Sequence, residues 1–174
     1  ILGWALLSYQ VVSNGTIGLL VETFGKTEPT ALPELATRVI LTILLFLAYE
    51  FGYWVHHYLC HRVAFLWEFH KVHHTANVLT PLTVFRVHPV DTWLFVNILA
   101  ISVGVASGVT NYALGITAYQ YALSNTNLIL VVFIHVYVHL QHSHIWIAFR
   151  GLAGRVFLSP ADHQVHPSNN PTHF

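Results

Sequence analysis

A chain of 174 residues has the size of one domain. Hydrophobic residues make up 55 % of it and charged residues 8 %, with mean hydropathy +0.57, whereas ordinary soluble domains are roughly 25 % charged. The formal net charge of zero leaves no electrostatic footprint for nucleic acid, and the single Cys60 excludes both an intramolecular disulfide and a cysteine-based zinc framework.

The first stretch, Ile1 to Leu20, is apolar and interrupted only by Ser13-Asn14-Gly15. It is long enough for a bilayer crossing, which takes about 20 residues. Residues 22–34, with Lys26, Pro29 and Pro33, read as a loop. The clearest span runs from about Ala36 to Cys60 and carries His57 and His61 at its exit. Residues 62–90 are amphipathic, and Trp67, Phe69 and Val72 predict a helix lying at the membrane surface. A third span covers Val90 to Val109, ended by a break at Gly108 to Asn111, and a fourth covers Tyr112 to Leu140. At ~1.5 Å per residue the fourth reaches roughly 40 Å, beyond the ~30 Å hydrocarbon core, so the turns holding His135 and His139 protrude.

These elements predict an all-α integral membrane protein with about four transmembrane helices in two hairpins. Arg62, Lys71, Arg86, Arg150 and Arg155 all lie in the histidine-bearing segments, while the opposite loops hold Lys26, with Arg38 at a span's edge. The positive-inside rule then turns a histidine-rich helical cap toward the cytoplasm. The chain lacks methionine, so residues 1–174 are read as a single membrane-embedded domain cut from a longer protein at both ends.

Fourteen histidines carry the chemical signal. His57 and His61 are four apart and share a helix face, and His70, His73 and His74 form an H-x-x-H-H run. Later come HVYVHLQHSH, where His135, His139 and His142 fall at i, i+4 and i+7, and SPADHQVH with His163 and His166. Neutral imidazole binds zinc, copper, iron and nickel well. One tetrahedral zinc uses four ligands, so this many candidates point to more than one ion. A lone histidine is more often a surface or hydrogen-bonded core residue, and His88, His144 and His173 each suit that description.

The ordered boxes resemble the fatty acid hydroxylase / sterol desaturase superfamily of integral-membrane di-iron enzymes. The resemblance covers roughly Glu50 to Phe174 and rests on His57-x-x-x-His61, LWEFHKVHH at Leu66 to His74, R-x-H-P at Arg86 to Pro89, HSH at His142 to His144, and SPADHQVH at Ser159 to His166. It implies a four-helix membrane base, a cytoplasmic cap with two iron ions, and oxygen-dependent hydroxylation or desaturation of a lipid. It further implies His57, His61, His70, His73, His74, His163 and His166 as ligands, with His142 the best match for an additional one. His139 is a weaker match and His144 a neighbour. Glu50, upstream of His57, is placed to orient a ligand imidazole. No electron-carrier motif is visible, so the electrons would come from a separate cytochrome b5-like or ferredoxin-like donor.

Two departures from the family pattern stand out: Pro167 occupies the last position of the third H-x-x-H-H box, and the chain stops before the family's usual continuation. Pro167 raises the alternative of a catalytically inactive homologue with a lipid-binding or structural membrane role. A zinc hydrolase lacks its H-E-x-x-H here, and a metal transporter would place ligands near the middle of its spans. Replacing Pro167 with histidine restores the box, so P167H is expected to raise metal occupancy toward two ions per chain and to increase turnover. Elemental analysis of the purified variant checks this; two ions in both forms would show that position 167 is no ligand site.

Overall fold

The computed structural model describes residues 2–76, 78–116 and 128–165. Among these the chain is helical, with no strand. The elements are α1 (Leu2–Phe24), α2 (Glu34–Arg62), α3 (Ala64–His70), α4 (Pro89–Leu114), α5 (Leu128–Val132), α6 (Val138–Gln141), α7 (Gly151–Val156) and α8 (Pro160–Val165). Single 3-10 turns occupy His73–Thr75 and Pro81–Phe85, and a π-helical turn, Phe133–Tyr137, joins α5 to α6. The chain divides into two compact units, Ile1–Leu59 with Thr92–Val131, and Cys60–Asp91 with Val132–Phe174.

The first unit is built from long helices. By length and composition α2, with 29 residues, and α4, with 26, can each cross a membrane. Their side chains invert the pattern of a soluble domain. Ile43, Leu47, Phe51, Ile101, Val105 and Val109 are exposed, whereas Ser13, Thr37, Ser107, Thr110 and Asn111 are buried. An apolar exterior over a small-residue, hydroxyl-bearing interior is the arrangement expected where lipid is the solvent. Where the sequence predicts four spans in two hairpins, two helices long and apolar enough to cross stand among the described residues; the fourth predicted span falls partly on residues 117–127, outside them.

Two predicted breaks are absent. Helix α1 runs unbroken through Ser13-Asn14-Gly15, and α4 runs through Gly108 to Asn111 before ending at Gly115, which has φ +60°. The small residues serve helix packing instead. A Cβ on Gly104 would lie 3.0 Å from the Tyr9 carbonyl oxygen, and one on Gly108 would lie 2.8 Å from that of Ser13. Gly104-x-x-x-Gly108 thus lets α1 and α4 approach closely. Beside it the Ser107 hydroxyl, fully buried, receives the Tyr9 hydroxyl at 3.1 Å and the Asn111 amide at 3.4 Å. On the other side of α4, Ser102 donates to the Ala48 carbonyl of α2 at 2.6 Å.

The second unit consists of short pieces pinned by side-chain bonds to backbone carbonyls. Tyr137 Oη and Gln141 Nε2 both donate to the Leu158 carbonyl, each at 2.7 Å. Gln164 Nε2 donates to the carbonyls of Ser143 (3.0 Å) and Ile145 (2.8 Å), and the Ala161 amide to that of Ile147 (3.0 Å). These bonds lash α6, residues 145–150 and α8 together.

The glycine contacts predict a contrast. Gly108→Ala should lower the melting temperature in detergent, by an overpacking cost of about 1–3 kcal/mol. Gly15→Ala, with nothing within 4 Å of the added carbon, should be neutral or should stabilise by up to about 1 kcal/mol. Thermal unfolding of both variants checks the pair; equal effects would mean that Gly108 is not a packing position.

Candidate metal centre

Three histidines from three separate elements meet inside the second unit. His73 begins the 3-10 turn after α3, His142 caps the C-terminus of α6, and His163 lies in α8. All three are buried, with 7, 2 and 0 % of their surface exposed. His142 Nε2 lies 3.2 Å from His73 Nε2 and 3.1 Å from His163 Nε2.

Hydrogen bonding alone accounts poorly for this meeting. His142 Nδ1 donates to the Val138 carbonyl at 2.7 Å, because a carbonyl oxygen can only accept. A neutral His142 therefore has one lone pair, on Nε2, and two other Nε2 atoms compete for it. A cation bound by all three removes the competition. Imidazole nitrogens about 2.0–2.1 Å from a tetrahedral metal lie ~3.3 Å apart, close to the separations found. The donor set fits a metal ion.

The electrostatics agree. Burial, aided by the neighbouring His142 and His70, pushes His73 down to about 4, against a smaller upward pull from the Arg86 backbone and Asp91. Burial also lowers His142, opposed by its bond to Val138. Both rings are held in the neutral form, which is the form that binds metal.

A second group lies beside the first. The rings of His61, His70 and His74 are mutually adjacent, with centroids 4.9 to 5.1 Å apart. His73 adjoins this group, 5.7 Å from His70 and 5.8 Å from His74. His61 lies in the last turn of α2 and is half-buried, as is His74, while His70 is buried. His57 lies one turn before His61 on α2 and is half-buried. His166 and Pro167, like His173, lie outside the described residues.

Several local expectations change. His70, His73 and His74 do not share one helix: α3 stops at His70 and a 3-10 turn carries the other two. His135, His139 and His142 do not share a face, because the π turn at Phe133–Tyr137 adds a residue to the register. His135 is exposed, His139 donates from Nδ1 to the Pro81 carbonyl at 3.0 Å, and only His142 enters the cluster. His144 is exposed, and His56 packs edge-on against Phe95 at 5.1 Å. Glu50, expected to orient an imidazole, has a buried Oε1 with no hydrogen-bond partner among the described residues.

Two contributors were missed in the sequence. Asp91 makes a carboxylate–imidazole bond of the kind expected of Glu50, but to His70 Nδ1, at 3.0 Å. Ser159 and Asp162 form a capping box at the start of α8. Ser159 Oγ donates to Asp162 Oδ2 at 2.7 Å, and the Asp162 amide donates to Ser159 Oγ at 3.2 Å. That box sets the helix whose next residue is His163. The S-x-x-D spacing is the signal in the sequence that points to this cap.

A family model for fatty acid hydroxylase matches residues 42–174. The chain belongs to the fatty acid hydroxylase family. Comparison with curated proteins gave no match, and comparison with solved structures gave none. Family membership implies an oxidoreductase acting on lipid, and with the apolar helices it points to membrane association. The histidine groups of this family member are compatible with metal binding.

The depressed His73 gives a pH dependence with a definite sign. Unfolded His73 takes up a proton near pH 6.5, and the folded side chain does so only near 4. The neutral ring therefore carries no penalty above 6.5, and stability is lost as pH falls from there toward 4. Across that window the loss from this one group should be roughly 3 kcal/mol in chelator-treated protein. Denaturant titrations at several pH values should show a shallower slope for His73→Asn; an unchanged slope would mean that His73 titrates normally.

Proposed function

We propose that the protein is an oxygen-dependent di-iron hydroxylase or desaturase acting on a C–H bond of a lipid. The observation that supports it most directly is the meeting of three Nε2 atoms at His142, whose one lone pair cannot satisfy two donors, an arrangement that a shared cation would accommodate. Among the described residues, the proposed ligands are His57, His61, His70, His73, His74, His142 and His163; the third-box histidine His166 completes the set by family resemblance.

When bound, a pair of iron ions supplies activation of dioxygen, the oxidant that an unactivated C–H bond requires. The chain's own residues do the rest. Buried, neutral His73 and His142 present lone pairs without first losing a proton. The Val138 carbonyl fixes the tautomer of His142, and the capping box of α8 holds His163. The exposed apolar faces of α2 and α4 suit a lipid surrounding, from which an apolar substrate can enter sideways. Inserting one oxygen atom while reducing the other to water consumes two electrons and two protons, so a separate cytochrome b5-like or ferredoxin-like protein is the proposed donor. The basic residues Arg62, Lys71, Arg86 and Arg150 on the histidine-bearing segments support two helical hairpins with a cap on the cytoplasmic side. The inactive-homologue reading is favoured by one feature, Pro167 at a family ligand position.

Elemental and Mössbauer analysis of the purified protein should find about two iron ions per chain, with oxygen consumed in a lipid-dependent reaction once a reductant is supplied. His142→Ala and His61→Ala should each lower metal content and abolish turnover, while His144→Ala, at an exposed ring, should retain both. Intact protein that binds no metal would establish the inactive homologue instead, and stoichiometric zinc would overturn the oxygenase reading.

A further inference from the structure

The structure assigns Asp91 as the positioning residue for His70, an assignment that rests on the metal-binding reading above. Asp91 lies in the first turn of α4 and is 4 % exposed. Its two oxygens are used separately. Oδ2 accepts the His70 Nδ1 hydrogen at 3.0 Å, and Oδ1 accepts the Cys60 thiol at 3.5 Å. One buried carboxylate therefore ties the last turn of α2, the end of α3 and the start of α4 to a single point.

Accepting from Nδ1 has a chemical consequence. It places the proton of neutral His70 on Nδ1 and leaves the lone pair on Nε2, the nitrogen a cation would use. It also fixes the rotation of the ring, whose neighbours at 5.0 and 5.1 Å are His61 and His74. The negative charge raises the basicity of the imidazole as a donor. A buried carboxylate is costly by itself, and here three groups offset that cost: the imidazole N–H, the thiol S–H, and the N-terminus of α4, where Pro89 gives up no amide hydrogen and the helix dipole favours an anion. The Cys60 thiol engages Oδ1 while Oδ2 faces His70, so the thiol steers the carboxylate and need not be a ligand.

A purely structural Asp91 would hold three chain segments together and do nothing for metal. The two roles separate in Asp91→Asn, which keeps the shape and an accepting oxygen but removes the charge. The measurement is cobalt(II) binding to chelator-stripped full-length protein in detergent, by competition against a chromophoric chelator, beside the melting temperature of the same stripped samples. Asp91→Asn is expected to weaken one of two cobalt ions by roughly 10- to 100-fold, the range for loss of a group that orients a ligand, and to leave the other ion and the stripped melting temperature as in the wild type. Cys60→Ser, which keeps a donor toward Oδ1, should retain both ions. Wild-type affinity for both ions in Asp91→Asn overturns the assignment while leaving the metal reading intact. A stripped melting temperature that falls together with both affinities overturns it in favour of a structural role. Wild-type protein that binds no cobalt overturns the metal reading itself, and the assignment with it.

Discussion

Everything in the second unit depends on burying uncharged imidazole nitrogens close together. Three Nε2 atoms within about hydrogen-bonding distance around His142 are a poor arrangement for neutral rings and a worse one for charged rings. The chain accepts it by tying each ring to its own backbone element. The Val138 carbonyl holds His142, the short turn after α3 holds His73, and a capped helix holds His163. The pieces are too short to be stable helices alone, since an isolated helix below about 12 residues is marginal. Their order comes from side chains that donate to loop carbonyls, with Tyr137, Gln141 and Gln164 supplying four such bonds.

The first unit answers a different solvent. Apolar side chains on its outside need no partners in lipid, so helix association must come from close approach and polar contacts within. Gly104 and Gly108 provide the approach, and the Ser107 hydroxyl with Tyr9 and Asn111 provides the contacts. The same residues, Gly108 to Asn111 and Ser13 to Gly15, look like interruptions when read along one helix. Their role becomes visible only when a second helix stands beside them.

That difference marks what the sequence discloses. Hydropathy discloses α2 and α4, because twenty apolar residues in a row have few alternatives. Residue type and spacing disclose the histidine clusters, because imidazoles repeated at three and four residues are rarely a surface accident. Spacing fails where the register changes. The π turn moved His135 and His139 out of the cluster and left His142 in it, and no single residue in FIHVY announces that extra member. Spacing also fails for partners distant in sequence. Asp91 stands 21 residues from His70 and inside a predicted span, whereas Glu50 stood near His57 and drew the assignment by proximity. The Ser159–Asp162 box is legible as a helix start, because S-x-x-D is local in sequence.

The low proton affinity of His73 joins fold and chemistry. A thiolate or carboxylate ligand would have to compete with protons or with its own desolvation cost before a cation arrives. Neutral imidazole faces neither at pH 7, provided the fold keeps it neutral. Burial does this for His73 and His142, and it would penalise a lone charged ring most strongly where the cluster is tightest. A divalent cation differs from a proton in that it is shared by several lone pairs at once, so the close spacing that disfavours protonating one ring favours binding one metal. The packing that denies His73 its proton is thus the packing that leaves its nitrogen available to a metal ion.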